Sequence, residues 1–205
     1  MKTTRLVIGC MALLLTTACG GHGERIDIAI PGPLKDKTSA TSMNGPRIVV
    51  LPFQDARDAQ AHLGTRSHLW GGVSYFDLPT GTVSDAGAQA FVEYLSRHGW
   101  NATLGRTAGS EGTDVIIHTT IQTLSIDAKS GFMHTDLDAK NALAFQITNR
   151  SDESIVRERV AGTGTDRVFW FDPADAQELM SGLFESNFHK FLGDLTIQGK
   201  AIRLR

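Results

Sequence analysis

Cysteine is scarce in this chain of 205 residues. The two cysteines, Cys10 and Cys19, both lie in the first tenth of the sequence, so the part after residue 19 has no disulfide, cysteine nucleophile or thiolate metal site. An excess of charge of one sign is also absent, because the net charge is -2. This balance argues against a protein that binds nucleic acid through a basic face, and we expect no nucleic-acid partner.

Catalytic and cofactor-binding motifs are missing as well. The sequence has no Gly-x-Ser-x-Gly elbow, no His-Glu-x-x-His pair and no phosphate-binding loop. Gly162-Thr163-Gly164 lacks the strand-to-helix context that a dinucleotide site requires. We therefore predict that the chain is not an enzyme and has no catalytic residues, no cofactor and no metal.

The histidines are the remaining candidates for metal or catalytic chemistry. His134, Asp136 and Asp138 are spaced two residues apart, so in a strand they project from one face. Alternate strand positions diverge by about 7 Å, whereas a metal needs convergent ligands, usually from several elements. We favour a solvated strand face over a metal site here, and a satisfied core or face residue for His118.

A second candidate lies just after the first apolar strand of the domain. Asp55, Arg57 and Asp58 occupy a position where functional loops are common. The same residues can instead form an ion pair at the start of the loop. We favour the ion pair.

The first residues of the chain are typical of a signal peptide. Lys2 and Arg5 supply a positive start, and Leu6 to Leu15 form an apolar run. That run is too short for a membrane span, which needs about 20 apolar residues. We therefore assign residues 1–18 to a cleaved signal peptide.

The end of this segment resembles the lipobox of bacterial lipoproteins. In Leu15-Thr16-Thr17-Ala18-Cys19-Gly20, small residues precede Cys19, which the resemblance identifies as the lipid attachment site, carrying palmitate or a similar acyl chain. Thr16 departs from the usual leucine. Cys10 has a similar context but too few apolar residues before it. By resemblance to the sorting rule of enteric bacteria, Gly20, which is not aspartate, implies export to the periplasmic face of the outer membrane.

Composition divides the rest of the chain into a tether and a domain. Residues 19–46 are rich in glycine, proline, serine, threonine and lysine, which predicts a flexible tether with a reach of about 30 Å. Only Ile26 to Ile30 alternates in a way that could pair as an edge strand. We expect residues 47–205 to form a single globular domain.

Periodicity in residues 47–205 predicts an α+β fold. Apolar spacing indicates helices at Thr82 to His98 and at Pro173 to Leu192. The second helix carries a stripe of three phenylalanines, which we expect to lie in the core. The alternative is that this stripe is exposed and docks a partner. The predicted strands are 48–53, 73–78, 100–104, 115–128, 137–147, 155–165 and 196–205. Turn compositions at 129–131 and 149–152 favour hairpins. We therefore expect a mostly antiparallel β-sheet with two amphipathic helices packed on one face.

Several short motifs resemble the YajG-type family of bacterial lipoproteins. They are the strand and turn Val49 to Arg57, then Leu63-Gly64, and the helix that carries Ala90 and Leu95 before Gly99. The opening strand and helix also look like modules of other envelope lipoproteins, including transporter-accessory ones. The resemblance implies an envelope lipoprotein of unassigned biochemical role, without catalytic residues.

These observations leave two classes of function. The first is a non-enzymatic accessory or interaction protein of the periplasm, held on the membrane by its N-terminal lipid and bound to another envelope protein. The second is a periplasmic binding module or hydrolase for a small ligand or glycan. A contiguous exposed apolar patch favours the first class, and a concave pocket with convergent polar groups favours the second.

Overall fold

The computed structural model describes residues 23–30, 45–107 and 112–205. The signal peptide and Cys19 lie outside the described residues. In chain order the elements are β1 (Arg25–Asp27), β2 (Ile48–Val50), β3 (Gln54–Asp55), β4 (Gly64–Ser67), β5 (Val73–Asp77), α1 (Val83–Arg97), β6 (Ala102–Leu104), β7 (Val115–Gly131), β8 (His134–Asn149), β9 (Ile155–Val168), α2 (Pro173–Gly193), β10 (Leu195–Gln198) and β11 (Ala201–Leu204).

The 17-residue strand β7 is the centre of a nine-stranded sheet. Along one edge it pairs antiparallel with β8, which in turn pairs antiparallel with β9. Along the other edge it pairs parallel with β2, β3 and β4 in succession. The fold is α+β as predicted, but the sheet is mixed, because β2 and β6 are joined by a crossover through α1 and therefore run parallel.

Strand β1 corrects the predicted tether and domain boundary. It pairs parallel with β5, and the N–H of Gly23 donates to the carbonyl of Val73 at 2.8 Å. The alternating side chains Ile26, Ile28 and Ile30 are all buried in the core. Because burying these side chains is worth several kcal/mol, residues 23–30 are part of the folded unit, which begins well before residue 47.

The polar region 54–81 also contains more structure than the sequence indicates. The predicted strand at 73–78 is present as β5, and β4 pairs antiparallel with it. Arg57 is buried and donates two hydrogen bonds to the Asp55 carboxylate, at 2.8 and 2.9 Å. The ion-paired loop start is therefore confirmed, and the hydrogen bonds from Arg57 hold the pKa of Asp55 below its ordinary value.

Both predicted helices are present, with their ends set by capping. Thr82 is the N-cap of α1 and accepts a hydrogen bond from the N–H of Asp85. Asp172 caps α2 in a capping box with Asp175, and Pro173 occupies the first turn. Such caps satisfy N–H groups that have no partner inside the helix.

Phenylalanine rings join the two helices to the sheet. Phe145 of β8 lies 3.9 Å from Phe191 of α2 and 5.2 Å from Phe91 of α1, measured between ring centroids. Phe184, Phe188 and Phe191 of α2 are all buried, so their predicted place in the core is confirmed. Offset and tilted rings at these separations add to the free energy that burial alone supplies.

Two glycines let α2 approach the sheet. A Cβ atom at Gly162 of β9 would lie 2.8 Å from Cδ1 of Leu183, and one at Gly164 would lie 3.0 Å from Cδ1 of Leu179. Both distances are shorter than a carbon–carbon contact allows. The Gly-Thr-Gly segment is therefore explained by packing against α2.

The C-terminal segment forms a hairpin where a single strand was predicted. β10 and β11 pair antiparallel, and Gly199 takes a positive φ of 62° in the turn. Asn149 holds this hairpin on the sheet: its side chain accepts from the N–H of Ile202 at 2.8 Å and donates to the carbonyl of the same residue at 3.0 Å.

Replacing Phe191 by alanine is expected to lower the free energy of unfolding by about 3–5 kcal/mol, because it removes a buried ring from the phenylalanine cluster. Urea unfolding followed by circular dichroism measures this change. Phe132→Ala is the control, since the Phe132 side chain is 77% exposed. Equal midpoints for both variants would contradict the described core.

Replacing Ile28, which is 1% exposed, by alanine is expected to lower the free energy of unfolding by about 2–5 kcal/mol. The same measurement on Ile155→Ala, an exposed position, supplies the matched control. An Ile28→Ala protein as stable as the control would show that residues 23–30 contribute nothing to the domain.

Candidate functional site

Three turns meet at one end of the sheet because of strand register. β7 ends at Gly131, where the hairpin to β8 begins. β4 ends at Ser67, beside Lys129 of β7, and the turn 68–72 follows. β9 ends at Val168, opposite Thr135 of β8, and the connection to α2 follows. The three turns are therefore neighbours in space, although consecutive turns are separated by about 35 residues or more along the chain.

Each of these turns exposes a pair of large apolar side chains. Trp70 is 93% exposed and Trp170 is 83% exposed. We call the whole group the apolar tip; its six members are Leu69, Trp70, Phe132, Met133, Phe169 and Trp170. An exposed apolar cluster of this kind marks an interaction surface in soluble proteins.

A cleft of about 540 Å³ lies among the three turns. Its lining contains Arg66, His68 and His134 as its only titratable side chains. The guanidinium of Arg66 lies over the ring of Phe171 at 4.0 Å from the ring centroid, and burial lowers the pKa of Arg66 from its ordinary value. The cleft is therefore mainly apolar, with the Arg66 guanidinium as the permanent charge in its lining.

The hairpin turn of the apolar tip has an unusual residue choice. The turn consists of Phe132 and Met133, whereas the sequence predicted it at 129–131. Met133 has a φ of 58°. Two-residue hairpins usually place glycine or asparagine in this left-handed region, which costs other residues about 1–2 kcal/mol. The turn therefore presents an exposed methionine at a cost in stability.

The predicted solvated face of β8 is confirmed. His134, Asp136 and Asp138 are partly exposed, while Leu137 and Ala139 between them are buried on the opposite face. Asp136 accepts a hydrogen bond from Nε of Arg167 at 2.5 Å, which holds the pKa of its carboxyl below the ordinary value.

Asp136, Asp138 and Arg167 line a second, polar groove of about 650 Å³ on the sheet. Asp136 is also 3.6 Å from the His134 ring, and Asp138 is 3.4 Å from Nζ of Lys140. Asp127 accepts from the backbone and the hydroxyl of Thr65. The groove carboxylates are therefore matched by donors from the protein itself.

The other candidates from the sequence lie apart from the apolar tip. His118 is exposed on β7, opposite Gln146, so its place on a strand face is confirmed. Asp55 and Arg57 line a separate charged cleft of about 440 Å³. In the described ranges, no group of three or more histidine, cysteine, aspartate or glutamate side chains is placed to hold a metal ion.

Sequence reasoning did not identify the apolar tip. A usable signal is present in Leu69-Trp70, Phe132-Met133 and Phe169-Trp170, which are apolar pairs in or beside turns. Turn positions are solvated, so a pair of large apolar residues there is more informative than the same pair in a strand. The sequence did not show that the three pairs share one end of the fold.

Glu158 of β9 is a carboxyl group whose pKa is raised to near neutrality. Burial, reinforced by the neighbouring Asp194 carboxylate, raises its pKa from 4.5 to about 7. Because the folded state binds the proton more tightly than the unfolded chain, stability falls as the pH rises from about 4.5 to about 7.

Glu158→Gln is expected to remove this dependence and to stabilise the protein at pH 8 by about 1 kcal/mol, a value reduced for solvent screening. Urea midpoints at pH 5 and pH 8 test the effect. Glu93→Gln, on the exposed face of α1, serves as control. A Glu158→Gln protein with the pH profile of the wild type would refute the assignment.

No protein-family model matches this chain, and no curated protein matches it in sequence. Solved structures do match. A DUF330 protein from Xanthomonas campestris aligns with a TM-score of 0.50 at 11% identity, over 84% of this chain and 93% of that chain. An uncharacterised protein gives 0.48 at 4% identity over 83% and 97%, and lipoprotein GNA1162 from Neisseria meningitidis gives 0.37 at 10% identity over 69% and 96%. The chain therefore shares its fold with a DUF330 protein.

Proposed function

We propose that this protein is a lipid-anchored component of the bacterial envelope that acts by interaction and not by catalysis. The observation that carries the proposal is the apolar tip, the largest cluster of exposed apolar side chains among the described residues. A binding surface of this kind fits an accessory protein, whereas a hydrolase needs a concave site with convergent polar groups.

The anchor in this proposal is an acyl group on Cys19. The lipobox-like segment before Cys19 supports it, and Gly20 supports the periplasmic face of the outer membrane as the location. In the part of the chain that the structure describes, neither helix is long and apolar enough to cross a bilayer. Two acyl chains supply stable attachment where one alone is marginal.

The absence of catalysis in this proposal is supported by the charges of the polar groove. A glycosidase uses two carboxyl groups, one of them with a raised pKa so that it can donate a proton. Asp136 has a lowered pKa and is bound to Arg167. Glu158, whose pKa is raised, is not part of this groove.

A binding module for a small ligand or glycan is the second candidate. The polar groove of about 650 Å³ favours it, because threonine, aspartate and arginine side chains are common partners of sugar hydroxyls. Such a ligand would have to displace the Asp136–Arg167 pair. The resemblance to the YajG-type family stays a prediction under either candidate.

We also infer that α1 and α2 cover one face of the sheet. Phe91 of α1 and Phe191 of α2 both contact Phe145, which supports this arrangement. The opposite face, which carries His118 and Arg157, is then available to another envelope protein.

Cys19→Ser is expected to abolish acylation and to leave the protein unprocessed or free of the membrane, because the thiol that accepts the lipid is lost. Metabolic labelling with a radioactive fatty acid, followed by membrane fractionation, measures both effects. Cys10→Ser is the matched control and should be labelled like the wild type. Equal labelling of Cys19→Ser and wild type would overturn the proposed anchor.

A further inference from the structure

We propose that the apolar tip lies in the surface of the same bilayer that holds the lipid on Cys19. The inference rests on the proposed lipid anchor and adds to it an orientation of the domain: the sheet stands on the membrane with the apolar tip down. Its support comes from where the described chain begins.

Gly23 lies at the end of the sheet that carries the apolar tip. Its N–H donates to the carbonyl of Val73, which is the first residue of β5 after the turn 68–72. From there a transverse row of paired residues crosses the sheet at one level and ends beside the other two turns. The row consists of Gly23, Val73, Ser67, Lys129, Asp136 and Arg167.

The direction of β1 shows that this strand begins at the same end. β1 runs parallel to β5, and β5 runs away from the turn that carries Trp70. The chain therefore enters the domain from the side of the apolar tip. From Cys19 to Gly23 there are four residues, which span at most about 14 Å when fully extended.

This short distance excludes the arrangement that the predicted tether implied. A tether of 19–46 would have held the domain about 30 Å from the membrane. With β1 in the sheet, a lipid on Cys19 keeps the turns of the apolar tip within reach of the headgroups. A face so close to the bilayer has to contact either lipid or a protein at the membrane surface.

The chemistry of the apolar tip fits lipid. Tryptophan is enriched where a protein meets the membrane interface, because its ring is apolar and its N–H can still hydrogen-bond to water or headgroups. The lining of the cleft between the turns adds the Arg66 guanidinium and the rings of His68 and His134. A guanidinium beside exposed indole rings suits a surface of apolar chains and phosphate groups.

The rest of the described surface lacks such a cluster. Its other exposed large apolar side chains are near the start of β7, at the opposite end of the sheet: Leu104, Ile155, Ile197 and Leu204. Ile155 is 13 residues from the end of β9, or about 40 Å along the strand. The two ends of the molecule therefore differ in chemistry as the orientation requires.

Tryptophan fluorescence of the full, lipidated protein in vesicles tests the orientation. The chain has three tryptophans, and Trp100 lies near the far end, just before β6. Variants that keep a single tryptophan, with the other two replaced by phenylalanine, are reconstituted into phosphatidylethanolamine–phosphatidylglycerol vesicles. Lipids brominated near the headgroup end of the acyl chain then quench any indole that lies in the interface.

We expect Trp70 and Trp170 to lose emission to the brominated lipid and to shift their emission to shorter wavelength. Trp100 should keep its emission. Ile155→Trp in a chain whose other tryptophans are phenylalanine supplies an exposed control at the far end, and it should stay unquenched by lipid and open to a water-soluble quencher.

Two results would overturn the inference in distinguishable ways. If the protein floats with the vesicles but Trp70 and Trp170 remain open to the water-soluble quencher, the anchor stands and the orientation is wrong. The apolar tip then serves a protein partner. If the processed protein does not float with vesicles at all, the anchor is wrong and the orientation fails with it.

Discussion

The pairing of β7 along both of its edges is the constraint on which the rest of the fold depends. One edge is covered by β8 over its full length, and the other by three short strands in succession. Short strands have few hydrogen bonds of their own, so their position is set by β7. A shift in register there would turn the buried side chains of β7 toward solvent.

The second organising feature is the packing of aromatic rings above the sheet. Phe91, Phe145 and Phe191 bring one strand and both helices into a single contact, and the glycines of β9 let α2 come close enough to complete it. This packing forms the stable body of the protein. The exposed side chains at the end of the sheet contribute little to it.

The location of the apolar tip indicates how a protein that acts by interaction, as we propose, could meet its surroundings. The central strand is 17 residues long and separates the two ends of the sheet. A structure that meets the apolar tip therefore leaves the opposite end of the sheet accessible. Exposed tryptophans and a methionine with a positive φ are costly in water. Such costs are accepted at functional surfaces, where a ligand or partner repays them.

The sequence alone predicted the features that depend on local physics. The helices follow from apolar spacing and from caps such as Thr82 and Asp172, and the long strands β7 to β9 follow from alternation. The phenylalanine stripe of α2 was placed correctly in the core because period and residue size are properties of the segment itself. The motif around Cys19 is likewise local, and it carries the lipid prediction.

Features that depend on nonlocal pairing were decided only by the tertiary structure. β4 (Gly64–Ser67) has no apolar alternation, and it is a strand because β5 and β7 supply hydrogen-bond partners on its two sides. The sequence indicated that Ile26 to Ile30 could pair as an edge strand but placed them in a tether. The burial of Ile26, Ile28 and Ile30 in the core makes them part of the domain. The apolar tip is the extreme case, since the apolar pairs of three separate turns become one surface only when strand register brings those turns together. Register is set by contacts between distant residues, and no local pattern encodes it.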